Sequence, residues 1–346
     1  MITRNDIFQI AKKLNIPAVG IAPWPLPDDA ANYIDTANPC PFINGTLEER
    51  LSANTALQSP KSAIVCLFPY YVKTEKPVNL PRYAWGPDYH LVIPDYLKRF
   101  GTALQEMDST MEFEIHCDTS PMADRYMAYL AGLGVFGKNR ALIHPVWGSY
   151  TSIGTLIHPG WGSKASFGTL LTSCELDADK PMEGTCLGCN RCVNACPGQS
   201  LGRKEFGFET CKSYLTQKKG DLPPHEVAII QKTPLIWGCD ICQEVCPHNR
   251  NVPTTPIPEF QTVEPYVNPA ELVGLTNKTF KAAYGDRAFS WRGKAVLLRN
   301  AGYVADTATT GAISATESSA PTDSTLSADS AVIAPASAKH HSSKDE

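Results

Sequence analysis

The chain has 346 residues, 43% of them hydrophobic, and a formal net charge of −4. That length allows two domains, or one domain with an insert, and the apolar fraction suffices for a sizeable core. A mildly acidic balance excludes a general polyanion-binding surface, so any nucleic-acid contact has to be a local patch. Met1 to Leu14 carries charges throughout and shows no export signal, and no run of about eighteen apolar residues is present, so no membrane span is expected. Twelve cysteines in such a chain point to a reducing, cytoplasmic setting in which thiolates stay available to metals.

Residues 2–14 read as an amphipathic helix with Ile7, Ile10, Ala11 and Leu14 on one face. Ala18 to Ile21 reads as a short strand, ended by Pro23-Trp-Pro-Leu-Pro27. The continuous apolar run Ser62 to Phe68 predicts a buried central strand, with Cys66 as a small core residue. A second helix is predicted over Pro94 to Met111, and the alternation from Met111 to Cys117 predicts a strand. Strands alternating with helices predict an α/β (α+β) layer over residues 1–175.

Asp118 follows the alternating strand, and Ser120 and Pro121 predict a helix start, as N-cap and first helical residue, with the helix running to Ala131. Ligands of open α/β sheets sit beyond the carboxyl ends of strands, which places Asp118 for chemistry; the alternative is a carboxylate that satisfies backbone N–H groups. Gly132-x-Gly134-x-x-Gly137 has the letters of a dinucleotide fingerprint but follows a helix instead of a strand, so it reads as a helix stop and a loop presenting Lys138 and Asn139. His144 to Ile157 is nearly repeated by His158 to Leu171, a tandem duplication of one turn-plus-strand unit.

The strongest signal lies between Cys186 and Pro247. Cys186-x2-Cys189-x2-Cys192-x3-Cys196-Pro197 has the bacterial ferredoxin spacing, in which the fourth cysteine serves the other cluster of a pair. Cys186, Cys189 and Cys192 then take Cys246 as their fourth ligand, and a second 4Fe-4S cluster uses Cys196, Cys211, Cys239 and Cys242. Zinc is the rival, but zinc sites close on four ligands at two knuckles, and this run does not divide that way. The expected organisation is an α/β domain at 1–175, a two-cluster ferredoxin-like domain at 176–255, a short helical segment at 256–304 and a disordered low-complexity tail at 305–346.

The combination of Arg82-Tyr-Ala-Trp-Gly-Pro-Asp-Tyr89-His90, Asp118-Thr-Ser-Pro121, Ala131-Gly-Leu-Gly-x-x-Gly-Lys138-Asn139, Cys211-Lys-Ser213-Tyr-Leu-Thr216 and Gly238-Cys-Asp-Ile-Cys-Gln-x-x-Cys-Pro247 resembles the epoxyqueuosine reductase family. The resemblance covers about residues 1–300. It implies a cobalamin-binding N-terminal domain, two 4Fe-4S clusters and C-terminal helices of HEAT type. It also implies reduction of epoxyqueuosine to queuosine at the wobble position of tRNAs with GUN anticodons, which read Asp, Asn, His and Tyr codons. Asp118 becomes the expected proton donor, with Tyr89 and His90 as relay or orienting groups. Arg50, Arg82, Asp118, Lys138, Asn139, Ser213, Cys239 and Asp240 become expected cofactor contacts. For tRNA the visible cation patches are Lys218-Lys219, Arg203-Lys204 and the 268–304 segment, with Arg292, Lys294 and Arg299. A separate electron donor is required, and a monomer is expected. The alternatives are another corrinoid reductase of the reductive-dehalogenase kind and a ferredoxin-type electron carrier.

Overall fold

A computed structural model of the chain describes residues 2–33, 40–42, 45–52, 55–118, 120–144, 146, 148–150, 165–184, 186–203 and 206–309. Helix α1 (Arg4–Lys13) starts at Thr3, whose hydroxyl accepts from the Asp6 N–H while the Asp6 carboxylate accepts from the Thr3 N–H. This reciprocal cap satisfies two donors that the first helical turn would otherwise leave open. Strand β1 (Ala18–Pro23), helix α2 (Leu47–Ser52) and strand β2 (Ser62–Pro69) follow. Next come helix α3 (Tyr89–Met107), strand β3 (Phe113–His116), helix α4 (Asp124–Leu130), the short strands β4 (Val135–Phe136), β5 (Leu142–His144) and β6 (Gly148–Tyr150), and strand β7 (Ala165–Thr172).

The main sheet has the order β1-β2-β7-β3, and each of its pairings is antiparallel. Both of its faces are covered. Ile64, Cys66 and Phe68 point into one core with α1, α3 and the C-terminal segment, while Ala63, Val65 and Leu67 point into a second core with α4. That is why β2 reads as an unbroken apolar run: each side of the pleat meets a helix layer. The predicted central strand stands, but the sheet is antiparallel and the layer is α+β, so the carboxyl-end rule of parallel sheets does not locate the site.

Where α3 crosses β7, a glycine lets the two backbones approach. A Cβ at Gly168 would lie 2.5 Å from Ile93 Cγ2 and 2.8 Å from Leu97 Cδ1. Gly168→Ala is therefore expected to lower the stability of the domain by about 1–3 kcal/mol through overpacking, read as a lower urea midpoint at unchanged slope.

Two helix starts differ from the sequence reading. Helix α3 begins five residues ahead of Pro94, because Asp88 caps it through the His90 N–H (3.0 Å) and Tyr89, Val92 and Ile93 bury their side chains. Helix α4 begins at Asp124 instead of Pro121, and its N-cap residue Ala123 offers no side-chain acceptor. The intervening Met122 and Ala123 are drawn into the second core, so the chain descends before it coils. Ser120 Oγ instead accepts from the Met122 N–H at 3.4 Å.

The cysteine-rich stretch is built of short pieces: α5 (Arg191–Ala195), α6 (Lys212–Leu215), α7 (Pro224–Ile230) and α8 (Ile241–Glu244). Helices α9 (Pro269–Gly274), α10 (Asn277–Tyr284) and α11 (Lys294–Thr309) then return to the first core, where Phe260, Leu272, Phe280, Phe289 and Leu297 are buried with Tyr83, Trp85 and Trp237. Asn79 fixes this return through Val267, its Nδ2 donating to the Val267 carbonyl (2.7 Å) and its Oδ1 accepting from the Val267 N–H (2.9 Å). Helix α11 extends past the expected tail boundary at 305. Residues 310–346, Lys204 and residues 151–164 of the duplicated unit lie outside the described residues; the end of the second copy supplies β7. Among the described residues no helix is long and apolar enough to cross a membrane.

Candidate active site and thiol cavities

Asp118 stands two residues beyond β3 with φ +60°, a left-handed conformation that aspartate tolerates better than most residues. Its carboxylate is buried and meets two side chains from the start of α3. Tyr89 Oη donates to Asp118 Oδ2 at 2.7 Å, and His90 Nε2 lies 3.0 Å from the same oxygen. The other ring nitrogen, His90 Nδ1, lies 2.7 Å from Asp88 Oδ1. Asp88 is held in turn by its N–H, which donates to the Asp286 carbonyl at 2.6 Å. Asp118 Oδ1 is buried without a hydrogen-bond partner among the described residues.

With a carboxylate oxygen on each ring nitrogen, only the doubly protonated imidazole satisfies both contacts. Burial works against the charged ring, but the hydrogen bonds and charges of Asp118 and Asp88 outweigh it and push His90 up to about 10. A pKa raised in the folded state gives stability that is complete below the unfolded value of about 6.5 and is lost as pH rises through about 10. The stability advantage of the wild type over His90→Gln should accordingly be constant from about pH 5 to 6.5 and vanish above pH 10, measured as the difference in urea midpoints.

The eight cysteines of the ferredoxin-like stretch separate into two groups. Cys186, Cys189, Cys192 and Cys246 line one cavity, together with Lys138, Asn139, Asn190 and His248. In the other group Cys211, Cys239 and Cys242 are pushed up by burial, and by the mutual repulsion of their thiolates and that of Cys196. Among the described residues no three His, Cys, Asp or Glu side chains converge as a single metal ion requires.

Other residues singled out in the sequence fall in varied surroundings. Lys138 and Asn139 sit at the β4–β5 turn, where Lys138 Nζ donates to Asn190 Oδ1 at 2.9 Å and Asn139 Oδ1 accepts from the Ala141 N–H at 3.1 Å. They line the first thiol cavity. Arg50 is buried; burial pulls it down to about 10, against the nearby charge of Asp124. Arg82 makes a two-point pair with Glu244 of α8, at 2.7 and 3.1 Å, and its backbone N–H donates to Asp240 Oδ2 at 2.8 Å. These contacts tie the segment ahead of α3 to the cysteine-rich stretch. Asp240 is buried next to Cys239, and burial with the Glu244 charge pushes it up to about 7 against the pull of Arg82. Ser213 is fully buried and its Oγ has no hydrogen-bond partner among the described residues.

Most of the expected tRNA-binding cations are engaged inside the protein. Lys218 Nζ pairs with Glu226 at 2.6 Å, Arg299 donates to the carbonyls of Leu215, Lys218 and Gly220, and Lys294 donates to the Leu275 carbonyl. Arg292 lies 3.7 Å over the ring of Trp291, which is itself half exposed. Lys219 and Arg203 are exposed. Arg203 lines a second cleft with Arg125, Lys138 and Arg140, beside Cys186.

Sequence reasoning missed Asp88 and Lys212. Asp88 was findable, since Asp followed by apolar positions at 89, 92 and 93 is a helix-start pattern. Nothing in the sequence points to the burial of Lys212.

Comparison with known proteins agrees with this layout. Residues 50–119 match the family profile described as epoxyqueuosine reductase QueG, and residues 185–249 match the 4Fe-4S double cluster binding domain. The epoxyqueuosine reductase of Lactococcus garvieae is 30% identical over 87% of this chain and 85% of its own length. The chain belongs to the epoxyqueuosine reductase family. The Listeria monocytogenes epoxyqueuosine reductase is 34% identical over 75% of this chain and 68% of its own. The solved epoxyqueuosine reductase of Streptococcus thermophilus superposes with a TM-score of 0.69 at 30% identity, covering 88% of this chain and 81% of the other. The fold is shared as well by an epoxyqueuosine reductase solved with an epoxyqueuosine-modified tRNA stem loop, with a TM-score of 0.73 at 24% identity, covering 87% and 80%. As a member of the epoxyqueuosine reductase family the chain is an oxidoreductase with a double-cluster binding domain.

Proposed function

We propose that the chain reduces epoxyqueuosine to queuosine at the wobble position of tRNA, with two 4Fe-4S clusters and cobalamin as cofactors. The observation that carries this reading is the closure of Tyr89 and His90 on one buried carboxylate, Asp118, in a chain of this family. Cys186, Cys189, Cys192 and Cys246 would hold one cluster, and Cys196, Cys211, Cys239 and Cys242 the other. Two groups of four thiols are a donor set of the right kind and number. For cobalamin the supporting feature is the pair of buried oxygens left open, Asp118 Oδ1 and Ser213 Oγ. A buried polar atom without a partner costs about 1–3 kcal/mol, a cost that a bound polar ligand would remove.

When bound, the clusters supply single electrons and the reduced cobalt supplies a nucleophile or electron donor for the epoxide. Removing the epoxide oxygen as water consumes two electrons and two protons. The chain's own part is proton supply. Asp118 accepts from Tyr89 and His90 through one oxygen and has no partner among the described residues at the other, so a proton given up from Oδ1 would be replaced from the imidazolium at Oδ2. Asp88 holds the ring in register while that proton moves. Burial excludes bulk water from the carboxylate, which favours transfer to the substrate oxygen over exchange with solvent. Lys219, Arg203 and the exposed edge of Trp291 would meet tRNA phosphate and base, respectively. Localisation in the cytoplasm, where tRNA is, agrees with a cysteine-rich chain that offers thiolates to metal.

Nucleoside mass spectrometry of tRNA from cells with and without the gene tests the reading. Epoxyqueuosine should accumulate in the deletion and return to queuosine on complementation with the intact chain. Unchanged queuosine in the deletion would overturn it.

A further inference from the structure

Lys212 is the one lysine of the described chain that is almost completely buried, 1% exposed, and it directly follows Cys211. Its Nζ reaches three oxygens: the Ile230 carbonyl at 2.5 Å, the Thr233 carbonyl at 2.8 Å and Thr233 Oγ1 at 2.6 Å. Three donors meet three acceptors, and two of the acceptors are carbonyls that cannot donate back. An ammonium donates to all three oxygens, whereas a neutral amine could keep all three contacts only by accepting from the Thr233 hydroxyl. Ile230 is the last residue of α7, so the cation also caps the negative end of that helix. Burial pulls the lysine down to about 8, while the charge of Cys239 pushes it the other way. Lys212 in turn is the strongest influence that offsets the burial of the Cys239 thiol.

A buried cation at this place has a consequence that an exposed one lacks. The field of a charge is screened by water and by salt at the surface, and is felt far more strongly in a dry interior. The lysine beside the first thiol cavity, Lys138, bonds to Asn190 in an exposed contact. The anion nearest the second set, Asp240, is turned toward the Arg82 N–H and the Arg82–Glu244 pair. Lys232 adds a further cation, donating to the Pro197 carbonyl next to Cys196 at 2.7 Å. The second set therefore has a fully buried cation at hand in Lys212, whereas Lys138 and Arg203, in the cleft beside Cys186, are exposed to solvent, as is Lys232.

We propose that Lys212 is a positioning residue whose fixed charge raises the reduction potential of the cluster held by Cys196, Cys211, Cys239 and Cys242. An electron entering the protein then occupies that cluster first. Adding an electron makes a thiolate-ligated cluster more negative, and a neighbouring buried cation favours the more negative form. This rests on the two-cluster reading above.

Redox titration followed by electron paramagnetic resonance, on full-length protein reconstituted anaerobically, tests it with Lys212→Met, Lys212→Gln and Lys212→Arg. The neutral variants should change the reduced-to-oxidised ratio of one cluster at least tenfold at a fixed potential, a lowering of about 59 mV for one electron, and leave the other cluster unmoved. Lys212→Arg should stay near the wild type. Unmoved potentials in a neutral variant that carries full iron would overturn the proposal. So would failure of both neutral variants to load iron where Lys212→Arg loads it, since the lysine would then serve the fold alone. A wild-type protein without iron would sink the two-cluster reading itself, and iron and sulfide analysis separates that outcome from the other two.

Discussion

Asp118→Asn is expected to lower turnover on epoxyqueuosine-containing tRNA by at least ~100-fold while bound iron stays at the wild-type level. Asparagine is the informative substitution. It tolerates the left-handed backbone at φ +60° and can still accept from Tyr89 Oη, so the loop should keep its course. What it loses is the carboxylate: the site gives up its proton carrier, and His90 gives up one of two anions that hold it charged. General acid–base groups contribute about 10²–10⁴-fold, so the loss should stand well clear of assay scatter. Single-turnover rates under anaerobic conditions give the measurement. A variant with half of the wild-type rate would remove Asp118 from the acid role and leave Tyr89 or His90 as the donor.

The second large effect is on metal content. Cys246→Ser and Cys239→Ser should each cost about half of the bound iron, because each belongs to a different set of four. Their electron paramagnetic resonance spectra should then be complementary, each retaining the signal that the other has lost. Cys66→Ala is the control, since Cys66 lies buried within β2, in the core. A protein that binds about two zinc ions and no iron, in any of these forms, would contradict the assignment.

How much of this was readable in advance follows from what kind of information each feature needs. The double-cluster stretch was legible because ligand spacing is local and its geometry is strict: the run from Cys186 to Cys196 admits few arrangements. Strand β2 was legible because the six consecutive apolar residues from Ala63 to Phe68 have few alternatives to burial. The direction of the strands was not, since Ala63 to Phe68 would look the same in a parallel or an antiparallel sheet covered on both faces. Asp118 could be singled out by its position after a strand, yet its partners could not be weighed, because Tyr89 and His90 are 29 and 28 residues away in sequence. Cations on the 268–304 segment were read as a surface for nucleic acid. Arg299 and Lys294 instead close the loops and helix ends around them, and only the contacts of the folded chain reveal that.

The Asp286 carbonyl gives the far end of the protein a part in the chemistry at its front. It holds the N–H of Asp88, and Asp88 holds the ring of His90. A nonsense codon ahead of residue 286 would therefore do more than remove the core residues Phe289 and Leu297: it would also unlatch the histidine that replenishes the acid. Truncation alleles of this gene are expected to lose the active-site register together with part of the first core, even when the gene product keeps every cysteine and the aspartate itself.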